Sequence, residues 1–388
     1  MPVLLRGATL IDGRGGPPLP RAAVLIEGDK FTAVGTDGAV AAPPDSTVVD
    51  LAGKWLVPGM IDLHVHPYSP KGAITGNPVQ ESDAYAALAA ARNLRTALRA
   101  GITTVRDVGP HGATGVPLRR AINEGLVEGS RVFSCVRFIS QTGGHGHDLE
   151  ADGPFAVRRA VREVWKSGAD LVKIAVNGSR SLPEYTREEL AAAVDEAHRL
   201  GLRVACHASL LEPTRLAVSV GVDTIEHGCQ LDEPLAREIA DKGIVLVPTT
   251  LVYQFLLEKS KTGVLEPVFA AAIQHRCLTH RRAVEIALEA GVKIGAGTDM
   301  VDNDHTFDCL AEELATLVAF GMPAMQAIGA ATSVAAEALG KEGQLGTVEP
   351  GRLADCIVLA EDPLKNIGVL QRVQMVFQNG RLIRGTAA

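Results

Sequence analysis

The chain has six cysteines, and no two of them are close: Cys135, Cys206, Cys229, Cys277, Cys309 and Cys356. That scatter excludes a disulfide scaffold and fits reduced thiols in a cytoplasmic protein. There is no Lys/Arg-dense run, and the net charge is -7 at pH 7, which argues against nucleic acid or another polyanion as partner. Long apolar runs are missing too, and residues 1–16 carry no small-residue cleavage site. Neither a signal peptide nor a membrane span is therefore expected. No Gly-x-Gly-x-x-Gly phrase follows the first strand of the central region, so a dinucleotide site has no support.

What is present is a chain of 388 residues, 46% apolar and 21% charged, which is the profile of a globular protein with one large and one smaller domain. Both ends read as short strands punctuated by turns. Candidate strands are Val3–Leu10, 22–27, 31–34 and 47–51 at one end, and 353–359 and 374–378 at the other. Asn379-Gly380 is a hairpin signal before a strand at 381–383. Neither end is large enough to bury a core alone. They are expected to pair into one small β-sandwich, from residues 1–58 and 343–388, beside a central domain at 59–342.

The central region alternates apolar runs with Ala-rich helical segments. Candidate strands lie at 60–66, 102–108, 132–140, 171–176, 203–208, 224–227, 244–248 and 293–297. Helical patterns occupy 83–100, 154–167, 187–200, 212–220, 234–242, 279–290 and 309–320. Several helices end in the same way, with a glycine before the next strand: Gly101, Gly168, Gly201, Gly221, Gly243 and Gly291. Glycine there supplies the left-handed cap that turns the chain back. Eight such units predict an α/β fold, a (β/α)8 TIM barrel.

In such a barrel, functional side chains project from the C-terminal ends of strands. Strand one ends in His64-Val65-His66, and the period of two puts both imidazoles on one face. Strand four carries Lys173 in an apolar run; strand five ends in Cys206-His207-Ala208, strand six in Glu226-His227-Gly228, and strand eight in Gly297-Thr298-Asp299. Each residue alone has a plain structural explanation. His207 or His227 could be a hydrogen-bonded core histidine, Lys173 a snorkelling lysine, and Asp299 a helix cap. Four histidines, one lysine and one aspartate at the same end of five strands are not expected on those grounds. Six converging donors exceed what one tetrahedral zinc takes and suit two divalent metals. Burial lowers a lysine's pKa, and a neutral amine can add carbon dioxide to give a carbamate, whose two oxygens can bridge two cations.

The chain resembles the amidohydrolase superfamily, in the branch of imidazolonepropionase-like, prolidase-like and Xaa-Arg carboxypeptidase-like enzymes. The resemblance covers nearly the whole chain. It is carried by Val57-Pro58-Gly59-Met60-Ile61-Asp62-Leu63-His64-Val65-His66, Gly101-Ile102-Thr103-Thr104-Val105-Arg106-Asp107, Thr142-Gly143-Gly144-His145-Gly146-His147, Ile225-Glu226-His227-Gly228, Gly297-Thr298-Asp299 and Gly346-Thr347-Val348-Glu349-Pro350-Gly351-Arg352-Leu353-Ala354-Asp355. It implies that His64, His66 and Asp299 hold a more buried metal and His207 and His227 a more exposed one, with zinc the expected element. Lys173 would bridge the two as its carbamate, together with a hydroxide, and Asp299 would shuttle the proton. It also implies that the strand-four lysine separates two-metal amide hydrolases from one-metal deaminases.

His145 and His147 are expected at the substrate, on the loop after strand three. Ser209 stands where dipeptidase-like relatives often carry an aromatic or bulky polar group, and Tyr253 could supply that contact instead. Arg106 and Asp107 read as an internal ion pair, and His198, His275, His280 and His305 as loop or surface residues. The expected activity is hydrolysis of a dipeptide or N-acyl amino acid, a small-molecule substrate, by a two-metal-activated hydroxide. Alternatives are a cyclic-amide, lactone or carbamate hydrolase, a one-metal deaminase, and a non-catalytic scaffold. The scaffold would lack ligands, yet all six positions are filled. Oligomers are common among similar proteins, but no interface for a homo-oligomer is legible.

Overall fold

The computed structural model describes residues 1–70, 79, 81–146, 148–178, 183–300 and 307–386. The chain divides into two compact units, Met1–Asp62 with Arg95–Thr104 and Phe307–Ala388, and Leu63–Leu94 with Val105–Thr306.

In the first unit both chain ends join one mixed sheet of eight strands. Its order is Arg381–Arg384, Met375–Gln378, Cys356–Leu359, Trp55–Pro58, Val3–Leu10, Leu19–Glu27 and Lys30–Thr36, with Thr47–Asp50 also pairing Val3–Leu10. The ends meet where Cys356 pairs with Pro58 and Leu359 with Trp55, antiparallel. Alternation along Leu19–Glu27 loads both faces. Val24 and Ile26 enter a core with Leu5, Leu10, Phe31 and Phe377, whereas Ala23 and Leu25 pack with Leu4 on the other side. The predicted hairpin is present, with Asn379 and Gly380 at φ 49° and 72°.

The second unit is a barrel-like α/β array. Its longest sheet runs Leu149–Glu150, Phe138–Ser140, Leu171–Ala175, Arg203–Ala208, Thr224–His227, Val245–Val247, parallel throughout. A three-stranded sheet, Met60–Val65, Ile102–Asp107 and Arg131–Ser134, carries the first predicted strands. The expected third strand is broken in two, because Val136 takes φ 67° between Arg131–Ser134 and Phe138–Ser140. The expected eighth strand makes single parallel bridges, Ile294 to Leu246 and Met300 to Val65, rather than a ladder. Among the described residues no continuous closed sheet therefore forms. Yet Leu63 N donates to Ala296 O at 2.9 Å and Leu246 N to Lys293 O at 2.9 Å, so the eighth segment is bonded on both sides.

All six glycines predicted to end helices take positive φ, from 67° to 92°. The helices precede them as expected, except that the segment at 279–290 belongs to a 23-residue helix, Pro267–Glu289. A further helix, Thr250–Ser260, follows Val245–Val247 directly. Among the described residues no helix is long and apolar enough to cross a membrane.

Candidate metal centre

Strand ends deliver the predicted residues to one cavity of about 160 Å³. Its lining includes His64, His66, Lys173, His207, His227 and Asp299. Strand periodicity places His64 and His66 together, with ring centroids 5.5 Å apart. Lys173 is buried at the middle of Leu171–Ala175. His227 and Asp299 end their segments in the left-handed region, at φ 79° and 52°, as does Thr249 at 52°. Non-glycine residues rarely adopt that conformation, and when they do it is often where a side chain must be aimed.

The hydrogen bonds define proton positions. His64 Nδ1 lies 2.7 Å from Glu226 Oε2, and His66 Nδ1 lies 3.0 Å from the carbonyl of Gly109. Both acceptors lack a proton, so each Nδ1 carries one and each neutral ring presents a bare Nε2. Those two Nε2 atoms face the same oxygen, Asp299 Oδ1, at 3.4 and 3.2 Å. Lone pairs aimed at a carboxylate oxygen repel unless a proton or a cation lies between them. His227 Nδ1 meets Thr249 Oγ1 at 2.7 Å, and its Nε2 meets His207 Nδ1 at 2.8 Å. His207 Nε2 is buried without a hydrogen-bond partner. Lys173 Nζ stands 3.4 Å from His64 Nε2. Donor atoms of His64, His227 and Asp299 all lie within 4.8 Å of one another, a candidate divalent-metal site.

Electrostatics favour the same chemistry. Burial holds His64 well below the usual imidazole range, and the charge of Lys173 adds to it. Burial does the same to His207 and His227. Burial also lowers Lys173. At His66 the desolvation cost is outweighed by the hydrogen bond and charge of Asp299, and the pKa rises. At Asp299 burial opposes ionisation, but His64 and His66 hold the carboxyl below its ordinary value. Neutral imidazoles, an ionised carboxylate and a lysine biased toward its neutral amine are the forms a cation needs.

The remaining predicted residues scatter. The His145 ring is solvent-accessible and stacks on His207 at 4.1 Å, and its backbone N–H donates to Glu184 Oε2 at 3.0 Å. Tyr253 lines the cavity beside His227, 5.6 Å between rings. Ser209 is turned away: its hydroxyl accepts from Asn177 Nδ2 at 2.9 Å and its N–H donates to Asn177 Oδ1 at 2.9 Å. His147 and His305 lie outside the described residues.

Two expectations are corrected. Arg106 does not pair with Asp107; its Nη2 donates to Glu226 Oε1 at 2.7 Å and Nη1 to Thr224 Oγ1 at 2.9 Å, while Asp107 accepts from Ser134 Oγ at 2.9 Å. Strand alternation explains this, since adjacent residues point to opposite faces. His280 is buried against Tyr253, not at the surface, because it falls on the inward stripe of its helix. Glu226 was overlooked, although Thr224 and Glu226 at period two mark one polar face of a strand. Arg276, which also lines the cavity, was overlooked for want of a helix boundary.

The amidohydrolase family model matches residues 55–383. The ochratoxinase of Aspergillus niger is 29% identical, covering 98% of this chain and 86% of that protein. A solved Xaa-Pro dipeptidase with bound methionine in the active site is 31% identical, with TM-score 0.92 over 99% of this chain and 100% of that one. A prolidase complexed with N-methylphosphonate-L-proline is 31% identical, with TM-score 0.87 over 100% of both chains.

Proposed function

The chain belongs to the amidohydrolase family, and from that premise we propose a two-metal enzyme that cleaves the amide or peptide bond of a dipeptide or N-acyl amino acid. It is a hydrolase of carbon–nitrogen bonds. The observation that carries the reading is the convergence of six donors, His64, His66, Lys173, His207, His227 and Asp299, on one cavity. The same reading closes the barrel around that cavity and makes the terminal strands, 1–58 and 343–388, a small sandwich beside a 59–342 barrel.

In this proposal His64, His66 and Asp299 hold one divalent cation, His207 and His227 the other, and Lys173 carries a carbamate between them. Zinc is the expected element. Bound there, the cations would act as Lewis acids toward the scissile carbonyl and lower the pKa of the attacking water. Asp299 takes the proton of that water on a carboxylate oxygen and returns it to the leaving nitrogen, so the C–N bond breaks with release of a neutral amine. His145, stacked on His207, contacts the substrate near the reacting carbonyl, and Tyr253 closes the opposite wall. The cavity, about 160 Å³, suits a small molecule and not a folded partner. The names of the solved dipeptidase and prolidase favour an amino-acid amide as substrate.

The test is a hydrolysis screen of dipeptides, N-acyl amino acids, lactones and carbamates, using protein loaded with zinc and bicarbonate and assayed for metal. The expected result is two equivalents of zinc and turnover of acyl amino acids. Turnover of lactones or carbamates alone would move the substrate class, and saturation at one equivalent would remove the two-metal model.

A further inference from the structure

The long helix Pro267–Glu289 places an arginine where a hydrophobic residue is expected. Its inward stripe runs through Ile273, Arg276, His280, Ala283 and Ala287, all buried. Two residues after Arg276, Leu278 is 82% exposed. The helix therefore buries a guanidinium and exposes a leucine one half-turn away, which costs stability unless the charge has a purpose. The other arginines nearby show the ordinary arrangement: Arg281 and Arg282 are half-exposed and pair with Glu285 on their own helix.

Arg276 has no such partner. Among the described residues no carboxylate lies within ion-pair distance of it, and its hydrogen bond is from Nη2 to the carbonyl of Gly178. Its Nε is buried with no acceptor. A guanidinium has five N–H donors in a planar fork, so most of them are unused. Arg276 lines the same cavity as the metal-site residues, and the walls beside it, Val252, Leu256, Phe269 and Ile273, are apolar. Phe269, Ile273 and Arg276 reach it from one helix face, at spacings of four and three.

We propose that Arg276 binds the free carboxylate of the substrate, so that the enzyme acts on acyl amino acids with an apolar side chain and discriminates against their amides. This rests on the preceding reading that amide bonds are cleaved in this cavity. A carboxylate accepts two parallel N–H bonds from a guanidinium, which fixes its orientation as well as its charge. The apolar walls exclude water around that pair and hold the adjoining side chain. With the carboxylate held at Arg276, the acyl carbon of the substrate is directed toward Asp299.

The test compares matched pairs, N-acetyl-L-leucine against N-acetyl-L-leucinamide and glycyl-L-leucine against glycyl-L-leucinamide, on the wild type, Arg276→Met and Arg276→Lys. The wild type is expected to prefer the acids by roughly 30-fold or more in kcat/KM, and Arg276→Met to erase that preference while leaving the amides unchanged. Arg276→Lys should fall between them, because it keeps the charge and loses the fork. Binding of 3-phenylpropionate and 3-phenylpropanol, measured by calorimetry, reads the same interaction without turnover. Arg276→Met should weaken the acid by a similar factor and leave the alcohol alone. If Arg276→Met does not fold, Arg276→Lys carries both comparisons. Equal loss on acid and amide, or none on either, overturns the proposal. If the wild type hydrolyses no acyl amino acid or dipeptide, the substrate reading fails by itself. Calorimetry then decides for Arg276, and unchanged 3-phenylpropionate binding overturns its role.

Discussion

Glu226 Oε2 accepts the Nδ1 proton of His64 across 2.7 Å, although 162 residues separate the two in the chain. The other oxygen of Glu226 accepts from Arg106 Nη2 at 2.7 Å, so one buried carboxylate joins a candidate ligand to a buried guanidinium. A carboxylate behind a histidine fixes its tautomer and strengthens the opposite nitrogen as a ligand. Glu226→Gln keeps the shape but removes the charge, and its amide can present a donor to Nδ1. Metal affinity, read by chelator competition, is expected to fall ~10–100-fold. Arg106 would lose its counter-charge, a change that typically costs about 3–5 kcal/mol and would lower the Tm. Unchanged affinity would show that Glu226 only balances Arg106.

Lys173 is buried within 3.4 Å of His64 Nε2. Lys173→Ala should lose metal and activity together, and a short carboxylic acid supplied in the buffer should restore part of both. A variant with two equivalents of metal and the wild-type rate would make the lysine structural.

Asp299 Oδ1 faces both His64 Nε2 and His66 Nε2. Asp299→Asn retains the outline and removes the base. The expected loss in kcat is ~10²–10⁴-fold, since that is the usual range for a general base. A fall below tenfold with metal retained would contradict the assignment.

Glu196 provides a pH-dependent contribution away from the cavity. Hydrogen bonds from Arg162 and Arg199 hold its carboxyl down to about 2; Arg162 Nε lies 2.8 Å from Oε1. A lowered carboxyl contributes stability in full above its unfolded value, roughly 4.3, and loses it as pH falls toward about 2. Arg162 and Arg199 are each 58% exposed, so solvent screening limits the effect to about 1–2 kcal/mol. Denaturant unfolding should show Glu196→Gln less stable than wild type at pH 6, with the gap narrowing by pH 3. A constant gap would mean that packing, not charge, explains the difference.

The sequence by itself determined whatever depends on short-range periodicity. Alternation put His64 and His66 on one face, the six helix-ending glycines announced where the chain turns back, and Asn379-Gly380 marked the last hairpin. The six donors were legible because each sits at a strand end, a position that local pattern alone identifies. Tertiary structure decided the partners. Whether Glu226 meets His64, and whether Arg106 meets Glu226 and not its neighbour Asp107, depends on the register between strands more than a hundred residues apart. The inward direction of Arg276 and His280 depends on where a 23-residue helix begins, since a shift of one residue rotates its face by about 100°. The break at Val136 depends on backbone strain that neighbouring strands must stabilise, and no local pattern records it.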